Sequence, residues 1–278
     1  MTKSNKNGII EKNKEILLVN NRTKGSISNE DIEKLQSIYN QHIKDGDIEE
    51  RYGIIVVMDV LGWKNKATEK TIKTYLDLIN RLRARILENW VRVDDDVKDE
   101  DLYIVVMSDT VCVFLNIDDR YCELNIFKFI SEFIIDALVH SLAFRGAISR
   151  GKYFINKKHN VFVGEAVYEA MEYAEKTEWA GIILTNSMAK VLLEKNDIEK
   201  LKELNIISYD NIPYKNNIAP CYRNLVIVPK MLFTPPQRNI FVDLMGLYEK
   251  VLESENKDVK KKLENTKSFL EFLVKQNI

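Results

Sequence analysis

The stretch Leu102-Tyr-Ile-Val-Val-Met-Ser-Asp-Thr-Val-Cys-Val-Phe-Leu115 decides how the rest of the chain is read. Two apolar runs, Leu102 to Met107 and Val111 to Leu115, are separated only by Ser108-Asp109-Thr110. Short β-branched runs divided by polar turn residues predict a hairpin, here with an aspartate at its tip. Upstream, Gly53-Ile-Ile-Val-Val-Met58 is a continuous apolar run that ends at Asp59. Such a run is the pattern of a strand buried on both faces. Between it and the hairpin, Tyr75, Leu76, Leu78, Ile79, Leu82, Ile86 and Leu87 recur at helical spacing, predicting a helix from about Thr68 to Trp90. Downstream, Leu124 to Leu142 reads as an apolar helix and Phe144 to Phe154 as a strand interrupted by glycine. Val161 to Val163 reads as its return strand, Gly164 to Lys176 as a helix, and Gly181 to Thr185 as a further strand.

The order β-α-β-β-α-β-β-α-β argues for a mixed sheet with helices packed on it. The expected fold class is α+β: a ferredoxin-like, palm-type βαββαβ sheet with helices on one face and helical extensions at both ends. Residues 1–27 are rich in Lys, Asn and Ser, and Ser28 with Asp31 marks a helix start. After the sheet, a helix is expected near Ser187–Leu204, a strand at Cys221–Val228, and helices near 237–253 and 257–276. The expected division is an N-terminal segment and helix over 1–50, a main domain over 51–230 and a C-terminal helical extension over 231–278.

Composition narrows the function. Forty-one basic against 42 acidic side chains give a formal charge of −1, which does not provide the broad basic surface of a duplex nucleic-acid binder. No run of eighteen apolar residues predicts a membrane span, and Ile16 to Val19 is too short for a signal-peptide core. Cys112, Cys122 and Cys221 lack metal-binding spacing, and together these features lead to the expectation of a reduced cytoplasmic protein.

Asp59 and Asp109 each follow an apolar strand, where a carboxylate is costly unless it is used. If those strands are neighbours, the two side chains converge. Two carboxylates with a backbone carbonyl form a hard oxygen site suited to Mg²⁺ or Mn²⁺ bridging phosphates. Aspartates that merely end strands or cap turns would look the same from position alone. The turn Val60-Leu61-Gly62-Trp63-Lys64-Asn65 is expected to turn backbone N–H groups toward phosphate, with Gly62 allowing close approach.

The motif order adds to this reading. Asp59-Val-Leu-Gly-Trp63, Ser108-Asp109 in a hairpin, Arg145-Gly-Ala-Ile-Ser-Arg-Gly151 and Gly164-Glu-Ala-Val-Tyr-Glu-Ala170 together resemble the class III nucleotidyl cyclase family over roughly residues 52–185. The resemblance implies a two-metal site on Asp59 and Asp109, two Mg²⁺ or Mn²⁺ ions, a nucleoside triphosphate substrate and active sites formed between the two subunits of a homodimer. Departures matter as much. Val105 and Val161 fall at the places where purine cyclases of this family carry polar base readers, and Ser108 replaces the hairpin glycine. Tyr168 and Glu172 fall at the family's transition-state Asn and Arg. Arg145 and Arg150 are the arginines available as the missing cation, with Lys64 and Lys152 as further choices.

Loss of the purine readers beside retained aspartates is similar to the Pycsar-type bacterial pyrimidine cyclases. That resemblance implies cyclic UMP or cyclic CMP made for a separate effector in antiphage defence, the effector meeting the enzyme only through the product. A purine cyclase with relocated readers, and a degenerate cyclase fold that binds nucleotide without turnover, remain open at this point.

Overall fold

The computed structural model describes residues 48–93, 101–116, 126–196, 198–215, 221–229 and 257–276, with isolated positions 33, 37, 246 and 249. The helices expected from Ser28 and near 237–253 lie essentially outside the described residues. The chain divides into two compact units, Met1–Ile48 and Glu49–Ile278, and every strand of the sheet belongs to the second.

Eight strands form one sheet: β1 (Glu49–Val60), β2 (Leu102–Met107), β3 (Thr110–Asn116), β4 (Phe144–Asn156), β5 (Val161–Val163), β6 (Ile182–Leu184), β7 (Ile206–Ser208) and β8 (Leu225–Ile227). Their spatial order is β2-β3-β1-β4-β6-β8-β7, with β5 paired to β4 outside that path. Helices α1 (Trp63–Lys66), α2 (Glu69–Val93), α3 (Ile126–Val139), α4 (Glu165–Lys176), α5 (Asn186–Lys195), α6 (Ile198–Glu203) and α7 (Lys257–Lys275) complete the described structure.

The segment β1-α2-β2-β3-α3-β4 is the expected βαββαβ unit. β1 pairs antiparallel with both β3 and β4, and β2 pairs antiparallel with β3. Beyond it β6 joins β4 in parallel and β8 joins β6 antiparallel, so the sheet is mixed. The run Ile54 to Met58 is buried throughout, as a central strand covered on both faces requires.

Pairing fixes which side chains share a face. Val57, Asp59, Ala147 and Arg145 lie on one face; Val56, Met58, Phe144 and Arg150 lie on the other. On the second face Phe144 packs on Phe133 of α3 at 5.0 Å and on Tyr75 of α2 at 6.2 Å between ring centroids. The two helices of the βαββαβ unit therefore share one face, as expected. Helix α4 covers the other, where Ser149 Oγ donates to the Ala166 carbonyl at 2.5 Å.

At the far end, Trp179 is fully buried, stacked on Tyr209 at 5.7 Å and met edge-on by Phe269 of α7 at 4.9 Å. A Cβ on Gly181 would stand 2.7 Å from the indole, so the strand leading away from this tryptophan needs glycine there.

Candidate active site

Asp59 lies near the end of β1 between buried Met58 and Val60, where its direct partners across the sheet are Thr110 on β3 and Arg145 on β4. Asp109 occupies the two-residue turn between β2 and β3. Ser108, the other turn residue, has φ 58°, a conformation glycine adopts at no steric cost, which is the physical consequence of serine standing there. The Asp109 carbonyl accepts the Val60 N–H at 3.0 Å, tying the hairpin tip to the end of β1 and bringing the two carboxylates together.

Arg145 reaches along the sheet to Asp59. Its Nε and Nη2 donate to Asp59 Oδ2 at 3.0 and 2.9 Å, and its Nη1 donates to the carbonyls of Glu175 at 2.9 Å and Thr177 at 3.4 Å. Both side chains are largely shielded, at 13% exposure for Arg145 and 22% for Asp59. Burial pushes the Asp59 carboxyl above its ordinary value, Arg145 opposes that push, and the neighbouring Asp109 adds to it. The pair therefore depends on Arg145, or another cation, to carry its charge.

Among the described residues no third His, Cys, Asp or Glu joins these two. The donor set is thus two carboxylates with backbone oxygen, which suits a hard cation that keeps waters and takes further oxygens from phosphate. Tyr75 supports that fit. Its hydroxyl is buried with no hydrogen-bond partner among the described residues, and both aspartate charges act on it, raising its pKa after burial has already done so. A buried hydroxyl with no partner among the described residues, acted on by both carboxylates, is a polar group that a water or ligand oxygen at the site would satisfy. The sequence offered Tyr75 only as one apolar position of a helix.

The other expected site residues are distributed unevenly. The N–H of Val60 is engaged by Asp109 O, and that of Leu61 by Ala143 O at 2.9 Å, so these two groups hold the turn together and do not face a phosphate. Gly62 has φ 72° and leads into α1; Trp63 packs on Tyr75 at 4.9 Å, and Lys64 is exposed. Val105, half-buried on β2, pairs through Cys112 to Val57 and so shares the Asp59 face. Val161 is 45% exposed and pairs with Asn156 at the other end of β4 from Arg145. Tyr168, 64% exposed, lies on α4, which covers the Asp59 face. Arg150 is not brought to the aspartates: it is buried on the opposite face, over the Tyr52 ring at 5.4 Å. Lys152 is paired with Glu50 at 2.8 Å, and Glu172 with Lys176.

No protein-family model matches the chain, and no curated protein does. Among solved structures, the chain is similar to the catalytic core of a rhodopsin-guanylyl cyclase with converted specificity in complex with ATPalphaS, at 14% identity, covering 52% of this chain and 83% of that one with a TM-score of 0.34. It is also similar to the adenylyl cyclase CyaB from P. aeruginosa, at 13% identity, covering 68% of this chain and all of that one with a TM-score of 0.42. Similarity at this level leaves the functional reading to the chain's own residues. No helix among the described residues is long and apolar enough to cross a membrane.

Proposed function

We propose that this chain is a nucleotide cyclase, closing a nucleoside triphosphate into its 3′,5′-cyclic monophosphate with release of pyrophosphate. The observation that carries the reading is the convergence of Asp59 and Asp109 at one end of a βαββαβ sheet, with Arg145 fixed on Asp59. In this reaction the ribose 3′-oxygen attacks the α-phosphorus, the bond from that phosphorus to its bridging oxygen breaks, and the hydroxyl proton leaves. Mg²⁺ or Mn²⁺, two ions in the full arrangement, would supply neutralisation of phosphate charge and acidify the 3′-hydroxyl. Asp59 and Asp109 would hold them. Arg145, anchored by two backbone carbonyls, opposes the effect of burial on Asp59 and holds that carboxyl in place at the end of the sheet, where phosphate oxygens would lie.

The substrate we favour is a pyrimidine triphosphate, UTP or CTP. Val105 and Val161 offer no hydrogen bond to a purine edge, and discrimination between bases rests on such paired polar contacts. Val161 lies far from Asp59 along β4, and Met107, Tyr168 and Met171 are exposed on or over the Asp59 face; both points favour a homodimer in which a second copy completes each site. The product would act as a second messenger for a separate effector, in antiphage defence on the resemblance to Pycsar-type enzymes.

Incubating the full chain with ATP, GTP, CTP and UTP separately with Mn²⁺, followed by mass analysis, tests this. Cyclic UMP or cyclic CMP is the expected product. A cyclic purine would keep the mechanism and remove the base assignment. No cyclic product from any triphosphate would contradict the cyclase reading.

A further inference from the structure

Helix α7 is bound to the short segment that also holds Arg145. Asn265 Nδ2 donates to the Glu178 carbonyl at 2.6 Å, the Ala180 N–H donates to Thr266 Oγ1 at 2.7 Å, and Lys261 pairs with Glu178 at 3.2 Å. On the same segment Arg145 grips the carbonyls of Glu175 and Thr177, and the Lys215 N–H donates to the Lys176 carbonyl at 2.7 Å. Residues 175–180 thus gather Arg145, Lys215 and the N-terminal half of α7 around one strap of backbone.

Lys262 stands one turn before Thr266, whose hydroxyl also donates to the Lys262 carbonyl at 2.8 Å. Lys262 and Lys215 are both half-buried, and neither ammonium has an ion pair or hydrogen bond among the described residues. Lys262 lies within electrostatic reach of Arg145, Lys215, Glu178 and Asp59. Glu178 already pairs with Lys261, and Asp59 with Arg145. Burial lowers the pKa of the Lys262 ammonium, and the charges of Arg145 and Lys215 lower it further. Two shielded lysines with no ion pair or hydrogen bond among the described residues, held beside the Arg145–Asp59 pair, favour an anion of several charges.

We propose that Lys215 and Lys262, together with Arg145, seat the polyphosphate chain of a nucleoside triphosphate at the Asp59 end of the sheet, so that helix α7 completes the site. The polyphosphate is identified as that of a substrate on the strength of the cyclase reading; the seat itself rests on the cations. Arg145 joins it to Asp59, and α7 places one cation from far beyond the last motif of the catalytic unit. The C-terminal helix thereby becomes part of the binding machinery.

Calorimetric titration of the full chain with inorganic tripolyphosphate and Mg²⁺, at fixed ionic strength, tests the seat. Lys262→Ala and Lys215→Ala are each expected to weaken binding about tenfold, Lys262→Arg to restore most of it, and exposed Lys260→Ala to change nothing. Because burial and the charges of Arg145 and Lys215 outweigh the attraction of Glu178 and Asp59 at Lys262, Lys262→Ala should not lower Tm without the anion, whereas loss of a structural contact would. Undiminished binding by Lys262→Ala, an equal loss in Lys260→Ala, or no binding by the parent chain overturns the inference. The cyclase reading fails separately: Lys262-dependent tripolyphosphate binding without cyclic product from any triphosphate keeps the seat and removes the cyclase. Cyclic product made by Lys262→Ala at the parent rate and KM keeps the cyclase and removes the seat.

Discussion

Arg145 and Arg150 stand five residues apart on β4, and the pleat sends them to opposite faces of the sheet. Arg145 reaches Asp59 and two backbone carbonyls at the open end of the sheet; Arg150 is 3% exposed, lies over Tyr52, and has its N–H bound to Ser187 Oγ at 3.0 Å. Their Cα atoms are about 16 Å apart along an extended strand. The comparison separates two uses of one residue type. At the sheet end a guanidinium holds the Asp59 carboxylate, and in the interior the same group with its long stem is packing.

The largest effects should come from the two carboxylates at the Arg145 end of the sheet. Asp109→Asn is expected to lower cyclic product formation by more than about a hundredfold while circular dichroism stays unchanged, because the turn's backbone bond to Val60 does not depend on the side chain. Near-parent turnover in this variant would break the site assignment. Arg145→Ala should cost about a hundredfold in kcat with a modest change in Tm. Arg150→Ala should do the reverse, lowering stability by about 2 kcal/mol while kcat at a permissive temperature stays within a few-fold. If the two arginine variants behaved alike in both assays, the distinction between the two faces would collapse.

That distinction was available in the sequence, since an odd separation on one strand always means opposite faces. The strands from β1 to β6 and helices α2 to α4 were legible for a related reason: each carries enough β-branched or periodic apolar residues to declare itself within its own length. Three features were not legible. Strand β7 offers only Ile206 and Ile207 before Ser208, whereas β5 and β6 are apolar at all three positions. The helix expected over Ser187–Leu204 is interrupted at Asn196, which caps α5 with extended backbone before α6 begins. Expected strand Cys221–Val228 opens with a turn at Tyr222–Asn224, where Arg223 has φ 61°. In the candidate site the strand-end aspartates were visible as carboxylates at the ends of apolar runs. The engagement of the Val60 and Leu61 N–H groups, the burial of the Tyr75 hydroxyl and the approach of α7 were not, because each depends on residues distant in sequence.

Smaller effects probe the region that carries α7. Gly181→Ala should destabilise the protein by about 2 kcal/mol in chemical unfolding, because its Cβ would enter the Trp179 ring and the Tyr209–Phe269 packing would have to shift. A neutral result would mean that α7 is loosely held and would weaken its role at the site. The smallest expected signal concerns the buried thiols. Burial pushes Cys112 up to about 11 and Cys221 up to about 12. At pH 8 both remain protonated, so peptide mapping should find neither alkylated by iodoacetamide until the chain is unfolded.

The most direct test of the central claim, that Asp59 and Asp109 together hold a divalent cation, is Mn²⁺ binding to the full chain followed by the electron paramagnetic resonance of the free ion. Saturable binding is expected, tightening when a nucleoside triphosphate is added and lost in Asp109→Asn. Equal Mn²⁺ binding by the parent chain and Asp109→Asn, with and without the triphosphate, would contradict the claim.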